Sequence, residues 1–251
     1  MRLLLACLLL WSTTLHAAVT VRFASLHYPP YAGASLPEEG AMVALLREAL
    51  APLGYRVDVE YMPWTRALAT QHDTRYAGIL ALWPRSAGEM VEHAFVPVFV
   101  SRVGYFARKP GAAPALTQLS SKRLGVVRGY RYPPVLLASG ATLDWASDDL
   151  ASLKKLAAGR LDYAVLEKAV GTDLLRQALP QQQTSLYWQE PSVVELPLGV
   201  GLYADRPGAT LLQRRLEQAL KTMRTDGRYL ALTQRHGVDA YVPPPTAAKA
   251  R

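Results

Sequence analysis

KRLGVVRGYRY, residues Lys122 to Tyr132, is an apolar run that ends at Gly129 with arginines and tyrosines on both sides. It reads as a strand, Arg123 to Val127, opening onto a polar loop. In an open α/β sheet, ligands sit beyond the carboxyl ends of strands, where backbone N–H groups and helix starts face outward. Arg128, Gly129, Tyr130 and Arg131 are therefore expected to look into a cleft. A second block, GRLDYAVLE from Gly159 to Glu167, repeats the logic with a turn, the apolar strand Tyr163 to Leu166 and an acid at its end. One loop is cationic and the other anionic.

Upstream, Val19 to Ser25 alternates as a strand and runs into His27-Tyr28-Pro29-Pro30-Tyr31, where paired prolines forbid regular structure. Gly40 to Leu53 carries Val43, Leu46 and Leu50 at helical spacing, with Gly54 as its stop, and Arg56 to Tyr61 alternates again. Strand, helix, strand in that order predicts a parallel, right-handed unit. Met62 to Leu68 starts a helix with Trp64 and Arg66 in its first turn. Gly78 to Trp83 is a short strand, Ala87 to His93 a helix, and Phe95 to Ala107 a long β-rich segment. Pro110 to Pro114 is the clearest internal boundary.

Downstream, a helix is expected from Pro134 to Ser139, and Asp148-Asp149 caps a helix with Leu150, Leu153 and Leu156 on one side. Leu186 to Tyr187 and Leu198 to Tyr203 read as separate strands, followed by a helix from Ala209 to Arg224 and a further helical turn to His236. That final pair fits ordinary packing rather than a DNA-binding helix-turn-helix. The tail from 243 to 251 is expected to be disordered.

At 251 residues, half of them hydrophobic and 19% charged, the chain is ordinary globular material with room for two modest α/β units. Residues 1–18 differ: Arg2, the apolar run Leu3 to Trp11 and the small-residue end at Ala17 and Ala18 have the pattern of a signal peptide. Export is expected. Cys7, the single cysteine, lies in that run, so the exported chain offers no disulfide, thiol catalysis or thiolate metal site. The net charge of +8, or +7 once Arg2 is removed, is scattered among acids and forms no long basic run. Nucleic acid is not an expected partner.

Taken together, these marks resemble the bacterial extracellular solute-binding proteins of family 3, the periplasmic amino-acid-binding type that serves ABC transporters. The resemblance is carried by Tyr28-Pro29-Pro30-Tyr31, Gly54, Pro63-Trp64-Thr65-Arg66, Phe95 and Pro97, Lys122 to Gly129, Gly159-Arg160-Leu161-Asp162 and Asp226-Gly227-Arg228-Tyr229. It implies an α/β, two-lobed periplasmic-binding-protein-like fold of type II, in which the chain crosses twice between lobes: 19–109 with 202–242, and 110–201. It also implies a monomer that closes on a small polar solute, needs no cofactor and partners an inner-membrane ABC permease. Tyr28 would stack on the ligand and Glu167 would hold its amino group. Gly129 is followed here by Tyr130 and Arg131 rather than by a serine or threonine, so backbone donors remain while the hydroxyl changes character. Glu89 stands where the family's carboxylate-clamping arginine is expected, which leaves Arg85, Arg128, Arg131 or Arg66 to supply that charge.

Trp64 adjoins a strand end and a proline, as Tyr28 does, and both are candidates for stacking, whereas Trp83 reads more readily as core. Arg128 and Glu167 would either touch ligand or pair with each other. The mature chain has no HExxH or other metal spacing, no GxSxG elbow, no P-loop and no dinucleotide glycine pattern. A binding protein rather than an enzyme is expected. The alternatives are a ligand-sensing or orphan module uncoupled from transport, and a small periplasmic enzyme on the same fold.

Overall fold

A computed structural model of the chain describes residues 18–84 and 93–239. The expected signal segment up to Ala17, Arg85, Glu89, the helix expected at 87–93 except for His93, and the tail from 243 lie outside the described residues. Eight strands hydrogen-bond side by side in the order β2-β1-β3-β8-β4-β7-β5-β6. In chain order they are β1 Val19–Ser25, β2 Tyr55–Tyr61, β3 Gly78–Leu82, β4 His93–Ala107, β5 Arg123–Val127, β6 Thr142–Ala146, β7 Tyr163–Glu167 and β8 Tyr187–Tyr203.

β1 pairs in parallel with β2 and β3, and β5 pairs in parallel with β6 and β7. These two parallel groups are the cores of two α/β halves. The helix α1, Ala41–Leu50, connects β1 to β2, and its Met42, Val43, Leu45, Leu46, Ala49 and Leu50 are all buried. α1 packs with α6, Ala209–Thr225, and α7, Arg228–His236. In the other half, α4, Asp149–Ala157, packs on β5 and β7 and against α5, Lys168–Ala178. The short helices α2, Trp64–Ala69, and α3, Pro134–Leu137, follow β2 and β5.

The halves are joined by β4 and β8, which are antiparallel partners over nearly their whole length. β8 pairs with β3 from Gly199 to Leu202, and β4 pairs with β7 from Val103 to Phe106. Between those stretches Phe99–Arg102 pairs only with Glu195–Leu198, so a two-stranded ribbon links one half to the other. The two separate strands expected at Leu186–Tyr187 and Leu198–Tyr203 are thus ends of one 17-residue strand. Pro197, Gly199 and Gly201 interrupt its alternation and still pair with β4, whereas Pro191 falls where the ladder shifts register between Val103↔Val194 and Tyr105↔Gln189.

Candidate functional site

The loop after β5 turns sharply because the Tyr130 N–H donates to the Val127 carbonyl at 3.2 Å, with Gly129 at φ 81° between them. A Cβ on Gly129 would lie 3.1 Å from Trp64 Cδ1 and 3.1 Å from Leu68 Cδ1. Glycine is needed there for backbone conformation and for close approach. Trp64 closes that approach with a bond, its indole Nε1–H donating to the Gly129 carbonyl at 3.0 Å. Trp64 stands on α2 of the β1–β3 half and Gly129 on the β5–β7 half, so this bond spans the two.

Tyr130 projects into a box of rings. Its centroid is 5.3 Å from Trp83, 6.0 Å from Trp64 and 6.2 Å from Tyr28, all near edge-to-face, and 5.9 Å from Tyr132. Such pairs contribute about 0.5–1.5 kcal/mol each beyond the area they bury. Arg131 adds a second bond across the halves, from Nη1–H to the Trp83 carbonyl at 3.0 Å. β3 shifts register between Ile79 and Leu82, with Ala81 at φ 57°, and this irregular end places Ala81, Leu82 and Trp83 on the wall. Tyr28, Trp64, Tyr130 and Arg131 complete a pocket with about 10 Å³ of room, space for about one water. An amino-acid-sized guest needs the halves to part or Tyr130 to swing away.

Two buried carboxyls flank the box. Glu167, 2% exposed at the end of β7, caps α5 by accepting from the Val170 N–H at 2.7 Å. Its other oxygen accepts from the Tyr31 hydroxyl and the Arg102 N–H, both at 3.4 Å. Burial pushes its pKa up to about 7 against those bonds. Asp149, 3% exposed at the first turn of α4, accepts from the Tyr130 hydroxyl through Oδ2 at 2.6 Å, while Oδ1 is buried with no hydrogen-bond partner. Burial pushes this acid up to about 7 as well. The Tyr28 hydroxyl, on the pocket wall, is likewise buried without a partner, and burial first, then the charges of Asp149 and Glu167, hold Tyr28 well above the usual phenol range.

Of the residues expected at the site, Tyr28, Trp64, Gly129 and Tyr130 are brought together. Arg66 and Arg128 are exposed and do not line the pocket, and Arg85 is outside the described residues. Glu167 lies beside the box behind Tyr31 rather than on the pocket wall. Arg131, one of the alternative arginines, does line the pocket, and Trp83 is wall rather than remote core. Asp149 was hidden in a doublet read only as a cap; Asp148 alone does the capping, accepting from the Ala151 N–H at 2.7 Å. Two adjacent acids where one cap suffices is the signal that marks it. Among the described residues no group of three or more His, Cys, Asp or Glu side chains is placed to hold a metal ion, and no helix is long and apolar enough to cross a membrane.

Two α/β halves joined by a long antiparallel ribbon, with aromatic loops meeting between them, define a two-lobed, periplasmic-binding-protein-like domain. Solved structures share this fold over most of the chain. A histidine kinase sensor domain with similarity to periplasmic binding proteins matches with a TM-score of 0.74 at 22% identity, over 90% of this chain and 99% of its own. An ancestral arginine-binding protein bound to arginine matches with 0.72 at 18%, over 88% and 99%. The GluR0 ligand-binding core from Nostoc punctiforme, in complex with L-glutamate, matches with 0.72 at 16%, over 86% and 98%. No known family model and no curated protein sequence matches the chain. The resemblance to the family 3 type of solute-binding protein is thus borne out in the fold.

Proposed function

We propose that the chain is a periplasmic receptor that captures a small polar solute, an amino acid or related compound, between its two lobes and presents it to an inner-membrane ABC permease. The observation that carries this reading is the meeting of Tyr130 and Arg131 from one half with Tyr28, Trp64 and Trp83 from the other. Stacking surfaces and a cation converge where lobe closure would exclude water. In this reading the β4–β8 ribbon is the hinge, and Arg131, which lines the pocket, takes the carboxylate in place of the clamp absent at Glu89 by exchanging its bond to the Trp83 carbonyl.

A second reading, a ligand sensor uncoupled from transport, is favoured by the lobes touching through their own side chains, with direct bonds from Trp64 to Gly129 and from Arg131 to Trp83. Both readings require binding without turnover. The test is a thermal-shift screen of the mature protein, unfolded and refolded, against amino acids, polyamines, organic acids and short peptides. A ligand at 100 times its dissociation constant stabilises the fold by about 2.7 kcal/mol. A selective hit that is recovered unchanged is the expected result. A silent screen with intact refolded protein overturns the solute-receptor reading, and chemical conversion of the hit overturns both.

A further inference from the structure

Asp149 is a buried acid without a counter-charge. It accepts from the Tyr130 hydroxyl at 2.6 Å, its Oδ1 has no hydrogen-bond partner, and it forms no ion pair among the described residues. A carboxylate so enclosed is costly unless it is protonated or meets a cation. Tyr130 is the side chain standing between it and the pocket: the ring lies on the pocket wall and the hydroxyl reaches Asp149 behind. The rings of Tyr28, Trp64 and Trp83 surround Tyr130, and aromatic rings attract a positive nitrogen. The Tyr28 hydroxyl is an additional unsatisfied acceptor on the same wall.

We propose that Asp149 is the cation subsite of this cleft, and that Tyr130 is a displaceable cover whose hydroxyl occupies the place of a ligand's ammonium or guanidinium group. The inference rests on the solute-receptor reading and narrows its ligand to a small molecule with a positively charged nitrogen. When Tyr130 turns away, both Asp149 oxygens become acceptors for that nitrogen, and the aromatic faces enclose it. Arg131 lines the same pocket with its Nη1–H on the Trp83 carbonyl, and its positive charge makes a cationic amino acid a better fit than a diamine.

The experiment is calorimetric titration of the refolded mature protein with L-arginine, L-lysine, putrescine, L-glutamine and L-glutamate, in the wild type and in the Asp149→Asn and Tyr130→Phe variants. The wild type is expected to prefer arginine or lysine. Asp149→Asn, which keeps the shape, should weaken those two by roughly tenfold or more, as expected for losing a charge-assisted bond, and leave any glutamine binding within about twofold. Tyr130→Phe, lacking the competing hydroxyl, should bind the cationic pair about threefold more tightly. Binding confined to glutamine or glutamate overturns the cation subsite and keeps the receptor. Equal loss for every ligand in Asp149→Asn, or no loss for any, also overturns it. Silence from all five, followed by silence in the wider screen, removes the receptor reading itself.

Discussion

Glu167 and Asp149 are both buried acids at strand and helix ends of the same half, and burial pushes both up to about 7. Their surroundings differ. Glu167 receives the Val170 and Arg102 N–H groups and the Tyr31 hydroxyl, so both its oxygens are engaged by the protein. Asp149 holds one tyrosine and keeps an oxygen with nothing on it. A carboxyl that completes its bonding within the chain behaves as architecture, whereas one left incomplete behind a pocket wall costs stability and marks a place where a ligand group could complete it. The acid at the strand end, which the family resemblance marks for the ligand, is here the better satisfied of the two.

The largest expected effect is the one the pair shares, on pH dependence. In both, the folded pKa of about 7 lies above the ordinary values of 4.5 and 3.8. The folded state therefore binds more protons between about pH 4 and 7; the stabilisation is complete below the ordinary values and is lost as pH rises through 7. Denaturation midpoints should fall from pH 5 to pH 7 and level off above it, with each acid contributing on the order of 1 kcal/mol per pH unit within that window. Around Asp149 stand Tyr130, Tyr28, Tyr132 and Asp148, and around Glu167 stand Tyr31, Tyr28 and Arg102; none of the tyrosines titrates in that window. Asp149→Asn should flatten the slope, and an unchanged slope would place its proton elsewhere.

Truncation gives the next largest effect. Glu167→Ala removes the cap of α5 and orphans the Tyr31 hydroxyl, and should cost about 2 kcal/mol in urea unfolding at pH 6. Asp149→Ala under the same conditions should cost clearly less, because it strands only the Tyr130 hydroxyl. If the two costs are equal, the distinction between them fails. The smallest effect is expected for Tyr28→Phe, which deletes a hydroxyl that has no partner: stability should stay within about 0.5 kcal/mol of the wild type or rise, while affinity for the preferred ligand falls.

Much of the frame was legible because its strands are short apolar runs with strong stops. Val19 to Ser25 and Arg123 to Val127 are observed as read, and the parallel pairing of β1 with β2 follows from the helix between them. β6, Thr142–Ala146, was missed because this edge strand is half exposed and carries no apolar run. α5 was missed because Gly171 interrupts it; that glycine is required because a Cβ there would meet the Phe106 ring at 2.3 Å. At the candidate site, position after a strand was enough to expect Tyr28, Gly129 and Tyr130 near one another, as they are observed. Sequence spacing could not separate the arginines, since which of Arg66, Arg128 and Arg131 faces inward depends on how the two halves meet.

The isolated middle of the ribbon, Phe99–Arg102 against Glu195–Leu198, has a mechanical consequence. Phe99 lies between Tyr31 and Tyr229, 5.4 and 6.3 Å away, and the Tyr229 hydroxyl holds the Val98 carbonyl at 2.6 Å, so one end of the ribbon is clamped. Bending of the ribbon is therefore expected to concentrate in the pairs beyond the clamp, Val100 to Arg102 against Glu195 to Pro197, which would give the two halves one compliant coordinate. One fluorophore pair, with one dye on each half, would then follow the whole conformational cycle as a change in one distance.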